Sequence, residues 1–349
     1  MKILGIDTSC DDTCAAVLEI RNSKLEILSN VVSSQVKLHA KYGGVYPSLA
    51  KREHIKNLPL VFRRATKNID ISKIELIGVT VGPGLEPCLW QGVNFAKDLA
   101  KKWEKPLIPI NHIEAHILAN WLSDSTFHIL HSKFLFPAVC LVVSGGHTQL
   151  ILTTGIEKYK LVGETRDDAA GECFDKAART LGLDYPGGPA IAAEAAKLKT
   201  KNYKLKTKLP RPMIYQKNYD FSFSGLKTAV LYDFRSRSSK IRKSREYIRA
   251  MCAEIQQAII DVLIHKTFKA AKNFKAKSII LGGGVAANDE LRKQFKEKIQ
   301  KEIPDTKYYV PDTKFCTDNA AMIAVTAYFH REEATKNWQK IKVNANLKI

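Results

Sequence analysis

No stretch of this 349-residue sequence approaches the ~18 consecutive apolar residues that a membrane-spanning helix requires, so no span is expected. The opening residues, MKILGIDTSC, reach Asp7 before a signal-peptide apolar region can form, which leads us to expect a cytoplasmic chain. Cysteine is sparse and scattered: seven residues, at 10, 14, 88, 140, 173, 252 and 316, with no CxxC pair. That spacing excludes a disulfide framework and a zinc ribbon, and it fits a reducing compartment. Cys10 and Cys14 lack the two further ligands of a tetrahedral zinc site and read as ordinary thiols. Acidic residues are also in deficit, 35 against 55 Lys and Arg, for a net charge of +20. Such an excess attracts polyanions, nucleic acid above all, although a lysine-rich proteome gives the same balance without a partner.

What is present points to a two-domain α/β protein. Apolar residues make up 45% of the chain, enough for globular cores. Ile3–Ile6 and Thr13–Leu18 flank a polar turn at residues 7–12, a strand-turn-strand pattern. The pattern returns where Ala138–Val143 and Thr148–Leu152 flank Ser144-Gly145-Gly146-His147, suggesting a duplicated architecture. Two further junctions run from strand through glycine turn to helix: Leu76–Val81, Gly82-Pro83-Gly84 and a helix near 89–103; then Ser278–Leu281, Gly282-Gly283-Gly284 and a helix near 288–301. Helical periodicity also marks 168–181 and 245–273. Basic residues crowd 197–217, 235–249 and 266–277; the first stretch carries Tyr203 and Tyr215, rings suited to stacking on bases but equally at home in a solvated loop. We place an N-terminal lobe at 1–130, completed by a C-terminal helix within 325–345. A second lobe covers 131–325, with a basic insertion near 197–220.

Residues 111–121 read NHIEAHILANW. On a helix, His112 and His116 at i, i+4 project from one face and can share an ion. A chance surface pair has the same spacing. Glu114 lies about 200° from either histidine, unlike the base of an HExxH protease, which directly follows the first His. A third ligand must come from elsewhere, and Asp318, just before an apolar helix, is the best candidate; a helix cap would look identical. Two histidines and a carboxylate would favour iron or zinc. The glycine turns at 82/84, 145/146, 187/188 and 282–284 are each either phosphate cradles or plain chain reversals. Asp168, Glu172 and Asp175 fall on one helical face, either to grip a ribose or cation or as a solvated helix start.

Taken in order, GIDTSCDDT, SQVKLHAKYGGVYPSLAKREH, GPGLEPCLWQG, NHIEAH, LVVSGGHTQL, DDAAGECFDKAARTLGLDYPGGP, FSFSGLKT, GGGVAAN and FCTDNAAMIA resemble the tRNA N6-adenosine threonylcarbamoyltransferase family of bacterial TsaD type, once assigned glycoprotein endopeptidase activity. The resemblance runs from about residue 2 to about residue 328. It implies an actin/Hsp70/sugar-kinase-like (ASKHA) fold with two duplicated lobes around a nucleotide cleft. It also implies the reaction: the N6 amine of the adenosine 3′ of the anticodon, in tRNAs reading ANN codons, attacks threonylcarbamoyl-AMP, and AMP leaves. On matching positions, the resemblance makes His112, His116 and Asp318 the ligands of one divalent metal, Fe2+ before Zn2+, with Mg2+ accompanying the nucleotide. Val142, Val143, Ser144, Gly145 and Gly146 would surround the acyl and phosphate portion, and Asp175, Gly188 and Asn288 would meet the nucleoside. Ser9 and Asp11 correspond to a first phosphate loop. His147 is a candidate for orienting the acyl group or acting as a base, or is structural. The implied partners are tRNA, a TsaB-like paralogue and a TsaE-like ATPase.

Some positions depart from the family pattern. Glu86, Pro87 and Trp90 follow Gly84 where many relatives have small residues, Asn111 stands where some have another histidine, and the tail KVNANLKI matches poorly. Two other functions compete with the transferase: a metal-dependent glycoprotein endopeptidase, against which the offset of Glu114 argues, and a non-catalytic nucleotide-binding scaffold, which has no need of the metal set. A sugar kinase lacks a recognisable acidic base motif.

Overall fold

A computed structural model describes residues 1–123, 134–198 and 208–349. Tyr203 and the centre of the basic stretch 197–217 lie outside the described residues. The chain forms two compact units, Met1–Phe134 with Pro311–Ile349, and Leu135–Val310.

In the first unit the order is β1 (Lys2–Asp7), β2 (Asp12–Arg21), β3 (Lys24–Ser34), α1 (Val36–Ala40), α2 (Pro47–Ala65), β4 (Ile74–Gly82), α3 (Glu86–Trp103), β5 (Leu107–Asn111) and α4 (His112–Leu118). The sheet runs β3-β2-β1-β4-β5. β1 and β2 form an antiparallel hairpin from Lys2↔Glu19 to Asp7↔Cys14, while β1, β4 and β5 are parallel. Glu86 and Pro87 open α3, with Leu85 as its N-cap and proline in its first turn, where the missing N–H costs nothing.

The second unit contains β6 (Ala138–Val143), β7 (Thr148–Gly155), β8 (Lys158–Glu164), α5 (Ala170–Leu181), α6 (Gly187–Ala196), α7 (Ser224–Ser236), α8 (Ser239–Arg242), α9 (Arg245–Asn273), β9 (Ser278–Gly282), α10 (Asp289–Glu302) and β10 (Lys307–Tyr309). Its sheet order, β8-β7-β6-β9-β10, repeats that of the first unit element for element. Here too the leading hairpin is antiparallel, as is the β7–β8 pair, while β6, β9 and β10 are parallel. α5 begins at Ala170, so Asp168 precedes the helix and does not share its face.

The chain then returns to the first unit as α11 (Ala320–Phe329). It rejoins that unit at Pro311, earlier than the boundary near 325 drawn from the sequence. The reason is packing: α11 is apolar on every side, and its first eight residues are buried. It lies directly on β1 and β4, because Gly5 and Gly78 leave room. A Cβ on Gly5 would stand 2.8 Å from the Ala324 nitrogen, and one on Gly78 2.7 Å from the Ala327 Cβ. This close seat brings residue 318 back to the β1 end of the sheet.

Candidate metal centre and glycine loop

The first site is built at the carboxyl ends of β1 and β5. Asn111 caps α4, its Oδ1 accepting from the amides of Ile113 at 2.8 Å and Glu114 at 3.3 Å. This fixes the first turn of the helix, on which His112 and His116 share a face with ring centroids 4.6 Å apart. His112 Nε2 stands 3.5 Å and His116 Nε2 3.3 Å from Asp318 Oδ1. One donor atom from each of the three residues lies within 4.8 Å of the other two. The cap of α11 is Asn319, whose side chain accepts from the Met322 amide at 3.1 Å, so Asp318 is not needed as a cap.

Burial disfavours charge on His112, yet Asp318 and Asp7 outweigh it and push the imidazole up to about 9. Burial would also raise Asp318, but His112 and His116 hold it well below the usual carboxylate range. His116, by contrast, is lowered by burial. The pocket therefore favours one compensating positive charge between rings and carboxylate. His112 Nδ1 and both ring nitrogens of His116 are buried without a hydrogen bond. Two imidazoles and a carboxylate, with ring nitrogens lacking a partner, fit a first-row divalent ion, which would supply that charge while both rings remain neutral.

The turn between β1 and β2 closes over this group. Ser9 Oγ donates to Asp7 Oδ2 at 3.2 Å and reaches Asp318 Oδ2 at 3.5 Å. Asp7 Oδ2 lies 3.8 Å from His112 Nδ1. Asp7 was not singled out in the sequence; its place at the buried end of β1 was the available signal. Asp11 is partly buried in the same turn, and burial raises its carboxyl. His54, from α2, clamps the turn: Nε2 donates to the Cys10 carbonyl at 3.0 Å, leaving Nδ1 to accept from Thr13 Oγ1 at 2.8 Å. Cys14 points its thiol at the Asp318 carbonyl, 3.7 Å away, and all seven cysteines are free. Glu114 turns away from the histidines and binds His330 instead, Oε2 to Nε2 at 2.9 Å.

The glycine turns separate into two kinds. At 82–84 there is no spare space: a Cβ on Gly84 would lie 2.5 Å from the Ser9 carbonyl oxygen. The C-terminal tail also binds there, with the Gly84 amide donating to the Ala345 carbonyl at 3.2 Å and the Asn344 amide to the Val81 carbonyl at 2.8 Å. Gly283 is likewise pressed against the Val143 backbone. At these positions packing alone requires glycine. At Gly145, Gly146 and Gly188 nothing lies within 4 Å of where a Cβ would stand. The 144–147 loop is closed by the Ser144 amide donating to the His147 carbonyl at 2.8 Å and the His147 amide to Ser144 Oγ at 3.1 Å. Beneath it sits the start of α5, the Gly171 amide donating to the Ser144 carbonyl at 3.1 Å. Val142 and Val143 end β6 and are fully buried.

Asp175 accepts from the Gly187 amide at 2.7 Å, which puts its carboxylate beside Gly188. Asn288 has its amide engaged at both ends, accepting from the Leu291 amide at 3.0 Å as the cap of α10 and donating to Gln256 Oε1 at 2.9 Å. The acidic trio is divided: Asp168 pairs with Lys176 and Lys227, both at 2.8 Å, and Glu172 with Lys176 at 2.8 Å. Asp168 and Glu172 are thus each paired with lysine.

The family model for TsaD, tRNA N6-adenosine threonylcarbamoyltransferase, matches residues 26–325. This chain belongs to that family. It is 45% identical to the tRNA N6-adenosine threonylcarbamoyltransferase of Thermosipho africanus, with the whole of both chains covered. It is 48% identical to that of Thermosipho melanesiensis, over 94% of each chain. In fold it is similar to component A of Acidaminococcus fermentans (R)-2-hydroxyglutaryl-CoA dehydratase, with a TM-score of 0.53 and 14% identity, covering 95% of this chain and 99% of that one. The α/β fold of two duplicated lobes is therefore that of the ASKHA class. The threonylcarbamoyltransferase match includes His112, His116, Asp318, the 142–146 loop, Asp175, Gly188 and Asn288, whereas Ser9 and Asp11 precede it. No helix among the described residues is long and apolar enough to cross a membrane.

Of the basic stretches, 266–277 is not all surface. Lys266 is fully buried, and burial lowers its ammonium to about 8. It donates to the Asn218 carbonyl at 2.8 Å and holds the 216–218 segment against α9. Tyr215 is 85% exposed, edge-on to His265 at 5.7 Å.

Proposed function

We propose that this chain acts in the cytoplasm and transfers the threonylcarbamoyl group of threonylcarbamoyl-AMP to the N6 amine of the adenosine 3′ of the anticodon, in tRNAs reading ANN codons, with release of AMP. The convergence of His112, His116 and Asp318 in a chain of this family carries the reading. These three residues would hold one divalent metal, Fe2+ before Zn2+. Such an ion supplies Lewis-acid stabilisation of charge developing on the donor's oxygens.

The remaining roles belong to the chain's own groups. Gly145 and Gly146 offer a backbone surface that the acyl and phosphate portion can approach without meeting a side chain. The closed 144–147 loop, seated on the start of α5, holds that surface rigid. Asp175, fixed by the Gly187 amide, is oriented to accept from the nucleoside beside Gly188. The adenine amine is a weak nucleophile, so positioning of this kind supplies much of the rate. Ser9 and Asp11 border the metal group, and His147 ends the acyl loop as an orienting residue. A TsaB-like paralogue and a TsaE-like ATPase are the partners that fit this reading, with Mg2+ accompanying the nucleotide. The endopeptidase alternative, in its HExxH form, needs a glutamate directly after the first histidine, whereas Glu114 is offset and engaged by His330.

Reconstitution with tRNA and synthetic threonylcarbamoyl-AMP, followed by mass analysis of nucleosides, tests the proposal. Threonylcarbamoyladenosine should appear. Its absence with the metal site filled and both partners present would refute the reading.

A further inference from the structure

Glu114 has no part in the reaction as drawn above, yet it sits in the helix that carries two of the three ligands. All seven residues of α4 are buried, so its carboxylate enters an apolar environment where an unpaired charge is costly. Its partner is His330, the residue that ends α11, through Oε2 to Nε2 at 2.9 Å. His330 also uses Nδ1, 3.1 Å from Glu333 Oε1, so both ring nitrogens face carboxylates and the ring is held as an imidazolium. Burial opposes that charge, but Glu114 and then Glu333 outweigh it.

The placement matters more than the charge. Asp318 stands two residues before α11, and His330 directly follows it. α4 packs against α11 and is tied to both ends of it, by His112 and His116 at one end and by Glu114 at the other. Around the axis of α4, Glu114 is nearly opposite the two histidines, about 200° away. A helix anchored on opposite faces to the two ends of one rigid neighbour cannot rotate about its own axis. Ligand sets tolerate only ~10–20° of such error.

We propose that Glu114 and His330 are positioning residues for the metal centre, a rear anchor that sets the rotation of α4 and hence the convergence of His112 and His116 on Asp318. This rests on the metal reading given above. The test uses the full-length, metal-free protein titrated with Co2+ by equilibrium dialysis, with the visible spectrum of the bound ion and thermal unfolding recorded in parallel. Glu114→Ala and His330→Gln should each weaken Co2+ binding about tenfold and alter the spectrum. Glu114→Gln, which retains length and a hydrogen-bond acceptor, should stay within about threefold of wild type. The double variant Glu114→Ala/His330→Gln should bind no more weakly than the worse single variant, since both break one link. Wild-type affinity and spectrum in Glu114→Ala, whatever its melting temperature, would overturn the inference. So would equal loss in Glu114→Gln and Glu114→Ala. If the wild-type protein itself takes up no Co2+, the metal reading fails first and this inference falls with it.

Discussion

The two units share one sheet topology, but the turns that close their leading hairpins differ in chemistry. In the first unit the turn at 7–12 is polar and acidic, drawn tight over Asp318 and clamped from behind by His54. In the second, the turn at 144–147 carries two glycines with open space beside them. One backbone frame has thus been filled in two ways: with carboxylates and imidazoles that gather positive charge, and with bare main chain that lets a ligand approach. One topology thus carries two unlike turns, one lined by ionisable side chains and one by bare backbone.

The largest effect should come from breaking the first half of that division. Asp318→Ala removes the only carboxylate among the three ligands and should reduce modified adenosine more than about a hundredfold, with loss of bound metal measured on the same sample. Filling the second turn should be less damaging and leave the fold intact. Gly145→Ala should lower kcat/KM about tenfold in donor titrations at unchanged melting temperature, because the added Cβ has no protein atom within 4 Å and only a ligand would notice it. The tight glycine turn of the first unit should behave in the opposite sense. Gly84→Ala should cost about 1–3 kcal/mol in denaturant unfolding, since its Cβ would fall 2.5 Å from the Ser9 carbonyl oxygen.

The smallest effect concerns pH. His330 is raised in the folded protein to about 9 from an ordinary value of 6.5. The folded state therefore holds a proton that the unfolded state releases, and this stabilisation is complete below about 6.5 and lost as pH rises through 9. Wild-type melting temperature should fall more steeply between pH 7 and 9.5 than that of His330→Gln. Parallel profiles would show that the pair contributes nothing to stability.

Much of this arrangement was legible in the sequence, and the exceptions have physical causes. Both hairpins, the bounds of α9 and the strand-to-helix junctions follow from apolar periodicity, a local property. The histidine pair was visible as a spacing, but Asp318 is remote in sequence, and only the seat of α11 on Gly5 and Gly78 brings it to the site. Asp7 and His54 were missed because nothing local marks a buried polar residue whose partner is far along the chain. The glycine turns looked alike in sequence. What separates Gly84 from Gly145 is the atom opposite the missing Cβ, which is tertiary information. Asp168 and Glu172 gave a functional-looking acidic face that Lys176 and Lys227 neutralise.

The metal reading puts one ion in the first unit, on His112, His116 and Asp318. Anomalous scattering from crystals of the full chain grown with Co2+ addresses it directly. A single strong peak is expected about 2.0–2.2 Å from the Nε2 atoms of both histidines and from an Asp318 oxygen, lost in Asp318→Ala. A peak elsewhere, or none in a preparation that still modifies tRNA, would contradict it.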